Sequence, residues 1–332
     1  MCVCFAAIMF ESFSRNMKKK PSAFKEAINE IIGASTKVVS SAASPPREAP
    51  PAPICMADHT LPLNLPNKLC GVSSIYYLNM ERSVERKRHI ESILCDMEGE
   101  GGGGGAADQK IPKVRIEAVD GNSPNFSVER YFSFYGGSSK NPRMMPTEYA
   151  TTLSHIMAIQ QFVEDSYSAP WGSDDNAIGL VVEDDLSSEF MPYWRVNIET
   201  MVRLRAPRDW EILQLSYILF DYTPIDEFEH WMMHKNMCGT AAYLIRLGAA
   251  KRLIEYLTKY SNPTEFRFCI GSEHPYYHHA DRFLYSFFKT YGVNPPLFTY
   301  RDSNDSFIHP DHVDFHAGSK EKTKKLWLGW EV

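Results

Sequence analysis

The stretch IGLVVEDDL at residues 178–186 decides the fold, because a continuous apolar run stops abruptly at three acids. A short run rich in valine, isoleucine and leucine is typical of a strand buried on both faces of a parallel sheet. Glu183, Asp184 and Asp185 follow it directly, and ligands of open α/β sheets bind beyond the carboxyl ends of the strands. The stretch therefore predicts a central strand with a candidate site at its end.

The three acids also indicate the chemistry of that site. Adjacent carboxylates repel one another, so a bound cation is a natural compensation. Oxygen ligands suit a hard ion such as Mn²⁺ or Mg²⁺, with substrate phosphates completing the coordination. The alternative interpretation of the same residues is a solvated acidic loop.

Strands and helices alternate on either side of this strand. Further strands are predicted at 74–80, 113–121 and 210–218, and helices at 81–97, from Thr147 onward, and at 241–257. Ser83 is expected to cap the first of these helices. The alternation predicts an α/β fold with a mainly parallel central sheet and helices on both faces.

The 332 residues divide unevenly. Residues 1–70 contain the tract SSAASPPREAPPAP and predict a low-complexity, disordered N-terminal arm. The folded domain is expected to span 71–315, with a C-terminal tail at 316–332. The tract GEGGGGGAAD at 99–108 is interpreted as a flexible insertion, since no Lys-Ser/Thr sequel of a phosphate loop follows it.

Composition excludes several classes of protein. Hydrophobic residues make up 44% of the chain and aromatic residues 13%, which excludes wholesale disorder. A net charge of −6 disfavours general binding to nucleic acid or anionic lipid, and no apolar run is long enough to span a membrane. Seven cysteines without a CxxC pair favour a reducing, cytoplasmic location. The alternative is the ER or Golgi lumen, should the apolar start MCVCFAAIMF act as a signal.

The order of seven segments resembles glycosyltransferase family 25, the family of the collagen β-galactosyltransferases and the bacterial lipooligosaccharide galactosyltransferases. In chain order these segments are IYYLNMERSVERKRHI, IEAVDG, LSH, GLVVEDDL, WEILQLSYI, CGTAAYLIRLGAAKRL and ADRFLY. The resemblance covers about 74–310. It implies a GT-A type fold, a nucleotide-sugar donor (usually UDP-galactose), a divalent metal, and inversion at the anomeric carbon.

The resemblance assigns a role to each of the three acids. The sequence EDD matches the family's DxD-type element. Asp185 is thereby expected to bind the metal that bridges the donor's two phosphates. Glu183 would face the ribose or the metal, and Asp184 would support it.

The sequence NMERSVER matches the family's Asn-x-x-Arg-Ser-x-x-Arg start. Asn79 and Arg82 lie just past the first predicted strand, where the resemblance implies nucleotide recognition. Arg86 lies one helical turn further and could grip a phosphate with two donors. The alternative for Arg86 is the basic outer face of an ordinary amphipathic helix.

Two further segments match donor-side positions of the family. Asp120 in AVDG would accept a hydrogen bond from the uracil or ribose, although an Asp-Gly pair alone indicates only a turn. Ser154 and His155 match the family's Leu-Ser-His. His155 is expected to point away from the apolar face of its helix and is either a site residue or a structural histidine.

An inverting transfer needs a base that takes the proton of the acceptor hydroxyl. Asp281 in HHADRFLY matches the acid that begins a helix in the family, and its alternative role is a plain helix cap. Glu273 in GSEHP is the second candidate. Gly239 and Thr240 match the small residues that open the acceptor-side helix.

Histidines near the end of the chain raise the question of further metal ligands. His309 or His312 could supply a third metal ligand, or both could be exposed polar residues. The cluster HPYYHH at 274–279 lacks the spacing of a zinc-binding helix and is not expected to bind zinc. The stretch TEYATTLSH departs from the family's Gly-Glu-x-Gly-Cys before Leu-Ser-His, which puts local acceptor contacts in doubt.

The leading hypothesis is a metal-dependent hexosyltransferase that uses a UDP-sugar donor and a hydroxyl acceptor on a glycan or protein. A catalytically inactive transferase fold that serves as a binding or adhesion module is the alternative. A metal-dependent phosphohydrolase also uses an acidic strand end, but the chain lacks its paired acidic motifs.

Overall fold

The computed structural model describes residues 67–98, 110–133, 144–219, 226–231, 237–259, 268–269, 279–301 and 313–328. The strands are β1 Ser74–Asn79, β2 Lys113–Glu117, β3 Phe132–Ser133, β4 Ile178–Glu183, β5 Leu186–Ser187, β6 Ile212–Gln214, β7 Phe228–His230, β8 Ala242–Arg246, β9 Phe268–Cys269, β10 Thr290–Val293 and β11 Thr299–Tyr300. The α-helices are α1 Val84–Glu98, α2 Val128–Tyr131, α3 Pro146–Ser166, α4 Ile198–Leu204, α5 Leu247–Lys259, α6 Ala280–Phe287 and α7 Val313–Leu328.

A seven-stranded sheet forms the centre of the fold, in the order β2-β1-β4-β8-β6-β10-β7. β1, β2, β4, β6 and β10 run in one direction, while β8 and β7 run against them. Two small sheets pair β11 with β5 and β3 with β9. The predicted α/β class and the mainly parallel central sheet are confirmed.

Alternate residues of the central strands pack against helices on opposite faces. Tyr76 and Leu78 lie in the core beneath α3, α5 and α6, and Ile75 and Tyr77 lie in the core beneath α1 and α4. Burial on both faces explains why β1 and β4 read as continuous apolar runs. Full burial of one such aliphatic side chain contributes about 1.5–3 kcal/mol.

One predicted helix is wrong. The stretch at 241–257 was expected to be helical throughout, but its first part is the strand β8, and the helix begins only at Leu247. β8 pairs with β4 on one side and with β6 on the other. A short apolar run such as AYLI has no periodicity that separates strand from helix, so long-range pairing decides its conformation.

The chain boundaries also differ from the expected ones. Leu69, within the predicted N-terminal arm, is fully buried, and Lys68 Nζ donates to the Trp194 carbonyl oxygen at 2.9 Å. The stretch expected as a C-terminal tail contributes most of α7, whose Trp327 is buried. The remainder of the arm, residues 1–66, and the glycine tract around 99–108 lie outside the described residues.

Among the described residues, no helix combines the length and the apolar character that crossing a membrane requires.

The predicted side-chain cap of α1 by Ser83 is wrong. Ser83 Oγ has no hydrogen-bond partner among those residues, and only its backbone oxygen joins the helix, by accepting from Lys87 N at 3.0 Å.

Candidate functional site

The antiparallel direction of β8 places two distant segments at one edge of the sheet. Glu183 ends β4, and its backbone N–H donates to the Ala241 carbonyl oxygen at 2.9 Å. Because β8 runs against β4, the residues before β8 lie beside the residues that end β4. Thr240 consequently contacts Glu183 although the two are 57 residues apart in sequence.

Asp184 is a buried acid held by two donors. Asn79 Nδ2 donates to its Oδ2 at 2.7 Å, and Arg86 Nη2 lies 2.8 Å from its Oδ1. Asn79 is itself fixed, since its Oδ1 accepts from Arg115 Nε at 3.0 Å. Burial raises the pKa of Asp184 above its usual value, with Arg86 and Asn79 opposing that effect. The supporting role expected of Asp184 stays a prediction.

Asp185 combines a paired oxygen with an unpaired one. Its Oδ2 lies 2.7 Å from Arg86 Nη2, whereas its buried Oδ1 has no hydrogen-bond partner among the described residues. Burial and the neighbouring charge of Glu183 raise the pKa of Asp185 to about 7. Arg86 therefore compensates part of the acidic charge, a role the sequence interpretation did not consider when it assigned this arginine to phosphate.

Glu183 is contacted by polar side chains from two directions. Thr240 Oγ1 donates to Glu183 Oε1 at 2.7 Å, and His155 Nε2 lies 3.3 Å from the same oxygen. Burial disfavours the charged carboxylate, but His155 and Thr240 outweigh that effect and keep the pKa of Glu183 below its usual value. His155 Nδ1 lies 3.2 Å from Tyr243 Oη on β8.

The expected direction of the His155 side chain is wrong. His155 is 0% exposed and lies beneath the acids, between Glu183 and Tyr243. Its helix, α3, packs across the sheet and is buried along most of its length, so a polar residue near the sheet edge is enclosed as well. His155 therefore contacts the Glu183 carboxylate from inside the core.

A cleft beside the acids is lined by the loops after β1 and β2 and by α3. Arg82 and Asp120, both partly exposed, form an ion pair between these two loops. Ser154 Oγ accepts from Val119 N at 2.9 Å and donates to the Ala150 carbonyl oxygen at 2.8 Å. Ser154 thereby anchors the loop that carries Asp120, and all three residues line the cleft.

Gly239 links the acid cluster to Asp281. Gly239 N donates to Asp281 Oδ2 at 3.1 Å, and its carbonyl oxygen accepts from Tyr285 Oη and Gln214 Nε2, each at 2.8 Å. Gly239 and Thr240 precede the strand β8, so the expectation that they open a helix is wrong. Asp281 is the second residue of α6, whose N-cap is His279.

Tyr300, on β11, lies close enough to the acids of the site for their charges to act on its phenol. Burial raises the pKa of its phenol well above 10, and the charges of Glu183, Asp185 and Asp281 add to that effect. The next residue, Arg301, donates its backbone N–H to the Asp185 carbonyl oxygen at 2.9 Å. The sequence interpretation missed Tyr300, because no local signal separates it from the other tyrosines of the chain.

Several sequence candidates lie outside the described residues: Glu273, His309, His312, and all of the 274–279 cluster except His279. His279 Nδ1 lies 3.4 Å from Glu148 Oε1. The structure thus brings the three acids together with Asn79, Arg86, His155 and Thr240. The backbone N–H of Gly239, next to Thr240, connects this cluster to Asp281 by a hydrogen bond.

The site offers a partial set of ligands for a cation. Within the described ranges, no group of three His, Cys, Asp or Glu side chains is arranged to hold a metal ion. The unpaired buried oxygen of Asp185, beside Glu183, nevertheless fits a hard divalent ion. Mg²⁺ is usually bound in this way, by one or two carboxylates with substrate phosphates and water completing its octahedron.

Gly239→Ala should lower the free energy of unfolding by about 2–3 kcal/mol. Gly239 has φ +106°, a left-handed conformation that alanine rarely adopts. A Cβ at this position would also collide with the Tyr300 hydroxyl. Chemical denaturation of the wild-type and variant proteins measures the loss.

Two further variants separate the causes. Adding Tyr300→Phe to Gly239→Ala removes the colliding oxygen and should leave about 1 kcal/mol of backbone strain. Gly318→Ala, in α7, is the matched control, since a Cβ there meets nothing within 4 Å. It should be neutral or stabilise by about 0.5–1 kcal/mol. Equal stability losses for Gly239→Ala and Gly318→Ala would contradict the prediction.

Comparisons with known proteins give one family match. The sequence model of the family described as "Glycosyltransferase family 25 (LPS biosynthesis protein)" matches residues 72–267. No curated protein matches the chain. Among solved structures, the chain is similar to a glycosyltransferase involved in the glycosylation of the major capsid of PBCV-1. That structure is 11% identical over 67% of this chain and 91% of its own, with a TM-score of 0.28.

Proposed function

Because the chain belongs to glycosyltransferase family 25, we propose that it transfers a hexose, specifically galactose, from a UDP-sugar to a hydroxyl group of a glycan or protein. The proposed reaction inverts the anomeric carbon and uses Mn²⁺ or Mg²⁺. The observation that carries the proposal is the Asp185 carboxylate, whose unpaired buried oxygen lies beside Glu183 at the carboxyl end of β4.

The cleft supports a role for Arg82 and Asp120 in donor binding. Its volume is about 100 Å³ and it is open to solvent, so a nucleotide sugar would extend beyond it. A nucleotide that binds there would replace the ion pair between Arg82 and Asp120. Asp120 could then accept a hydrogen bond from the uracil or ribose, and Arg82 could contact the nucleotide.

The transfer needs one proton acceptor and one stabilised leaving group. The acceptor oxygen would bond to the anomeric carbon and lose its proton to a base, while the bond from that carbon to the diphosphate breaks and UDP leaves. We assign Asp281 as the base, with Glu273 as the alternative. A divalent cation held by Asp185 and Glu183 would neutralise charge on the departing diphosphate.

The proposal is tested by donor hydrolysis. The full-length protein is incubated with a panel of UDP- and GDP-sugars, with Mn²⁺ or with EDTA, and nucleotide release is followed. We expect release from one UDP-hexose, and we expect EDTA to abolish it.

A thermal-shift assay with UDP and Mn²⁺ distinguishes the outcomes. Stabilisation by UDP without turnover of any donor would favour the inactive binding module. Neither stabilisation nor release would overturn the proposal, and release of phosphate from a simple phosphate ester would indicate a phosphohydrolase.

A further inference from the structure

A second cavity of about 480 Å³ lies between α7 and the chain that follows β5. Glu189, Phe190 and Tyr193 line one wall, and the other wall is a stripe of α7 that includes Lys320 and Lys324. We call this cavity the α7 groove. Its volume falls within the range of small-molecule sites, and the cleft beside the acids does not include any of its residues.

Three stacked aromatic rings form one side of the α7 groove. Phe190 and Tyr193 both stack on the Trp327 indole, with ring centroids 6.5 and 6.4 Å away and interplanar angles of 22° and 30°. Trp327 Nε1 donates to the Pro296 carbonyl oxygen at 2.8 Å, which fixes the indole. Phe190 and Trp327 are buried, whereas Tyr193 is 38% exposed. A fixed aromatic stack therefore presents the Tyr193 ring to the groove.

Charged groups of both signs border this ring. Lys320 Nζ lies 2.7 Å from Glu189 Oε2, so an ion pair crosses from α7 to the opposite wall. Lys324 lies one helical turn beyond Lys320 and is exposed. Ammonium groups only donate hydrogen bonds and carboxylates only accept them. The groove thus offers an aromatic surface flanked by both kinds of hydrogen-bonding partner.

A sugar ring matches this combination. A pyranose has a face of C–H groups that can pack on an aromatic ring, and hydroxyls at its edge that both donate and accept. A purely anionic ligand would be matched by positive charge alone. An extended peptide would be matched by an unpaired strand edge, which these residues of α7 and of the Met191–Tyr193 turn do not supply.

Both walls of the α7 groove connect to the acid site. Glu189 is four residues beyond Asp185, so their Cα atoms are at most about 14 Å apart. On the other side, His316 precedes the groove residue Ala317 in α7, and its ring packs edge-on against Tyr300 at 4.5 Å between centroids. The residue after Tyr300, Arg301, donates its backbone N–H to the Asp185 carbonyl oxygen. Both walls of the α7 groove are therefore continuous with segments that carry or contact Asp185.

We propose that the α7 groove binds the acceptor, and that the acceptor is an oligosaccharide, held through a sugar unit remote from the hydroxyl that reacts. This inference rests on the proposed function and names its substrate class. Tyr193 supplies the ring against which that sugar packs, and Lys324 and the Glu189–Lys320 pair bind its hydroxyls.

The test is binding of oligosaccharides to the full-length protein by calorimetry. The probes are tri- and tetrasaccharides that end in galactose, glucose, mannose or xylose, together with a lysine-rich peptide. We expect at least one oligosaccharide to bind, and Tyr193→Ala to weaken it about tenfold. Tyr167→Ala is the matched control, because Tyr167 is 82% exposed at the end of α3 and should leave binding unchanged.

A second variant, Lys324→Ala, keeps the test valid should Tyr193→Ala fail to fold. Because Lys324 is exposed, its replacement should weaken oligosaccharide binding while leaving the melting temperature unchanged. Absence of oligosaccharide binding, binding unaffected by both variants, or binding of the peptide alone would each overturn the inference. Donor hydrolysis is measured in parallel and should be equal in the wild-type and Tyr167→Ala proteins. Hydrolysis without oligosaccharide binding would overturn this inference and leave the proposed function standing. Oligosaccharide binding with neither nucleotide release nor stabilisation by UDP would overturn the proposed function, and the groove would then bind an oligosaccharide that is not an acceptor.

Discussion

Replacing Arg86 by methionine should lower the free energy of unfolding by about 3–5 kcal/mol, because it leaves the buried Asp184 and the half-buried Asp185 without their shared cation. Arg86 is buried and contacts both Asp184 and Asp185. The loss should be smaller at pH 5 than at pH 8. The pKa values of Asp184 and Asp185 are already above the usual value, and removing Arg86 raises them further, so protonation at low pH relieves the unpaired charge.

Two variants make the Arg86 prediction specific. Arg88→Met removes a positive charge from the same helix at an exposed position and should change stability by less than about 0.5 kcal/mol. Adding Asp185→Asn to Arg86→Met should recover part of the loss, since one of the two unpaired charges is gone. Urea denaturation of the four proteins measures the coupling, and a loss that is the same at both pH values would contradict the electrostatic cause.

Asp185→Asn should reduce turnover of the UDP-sugar roughly 100- to 1,000-fold while leaving the fold intact. The substitution keeps the shape of the side chain but removes the negative oxygen that would hold the cation. Burial and the charge of Glu183 raise the pKa of Asp185 to about 7, so the ionised carboxylate is unfavourable in the ligand-free protein. The melting temperature of Asp185→Asn should therefore equal or exceed that of wild type, because Arg86 keeps Asp184 as a partner.

Asp175→Asn is the control for Asp185→Asn. Asp175 lies on the surface, where its Oδ1 is 2.9 Å from Lys251 Nζ, and its side chain is 70% exposed. Its replacement should leave nucleotide release unchanged. Full turnover by Asp185→Asn, measured with the same donor and cation, would remove Asp185 from the proposed mechanism.

The parts of the site that could be predicted from sequence depend on local patterns. A buried apolar strand that ends in acids is visible in nine consecutive residues, and the spacing of Ile90, Ile93 and Leu94 marks α1 before any contact is known. Both lie in single elements whose direction and burial follow from their own periodicity. The order of these elements was sufficient to indicate the family.

The parts that could not be predicted depend on pairing between distant segments. The run AYLI becomes a strand because β4 and β6 both pair with it, and nothing within the run records those partners. The role of Arg86 as counter-ion requires the start of α1 to lie against the turn after β4. The burial of His155 likewise follows from its contacts with Glu183 and Tyr243, which lie on two other elements.

The position of β8 bears on how the protein folds as it leaves the ribosome. β8 is the strand that joins β2-β1-β4 to β6-β10-β7 in the described sheet. Strands β1, β2 and β4 can pair early during synthesis, whereas β6 has no partner in the early half until β8 emerges. Arg86 belongs to that early half and neutralises Asp184 and Asp185 there. A nascent chain that has not yet reached β8 can pair Asp184 and Asp185 with Arg86 but lacks Thr240, so the contacts of Glu183 cannot be complete before residue 240 has been made.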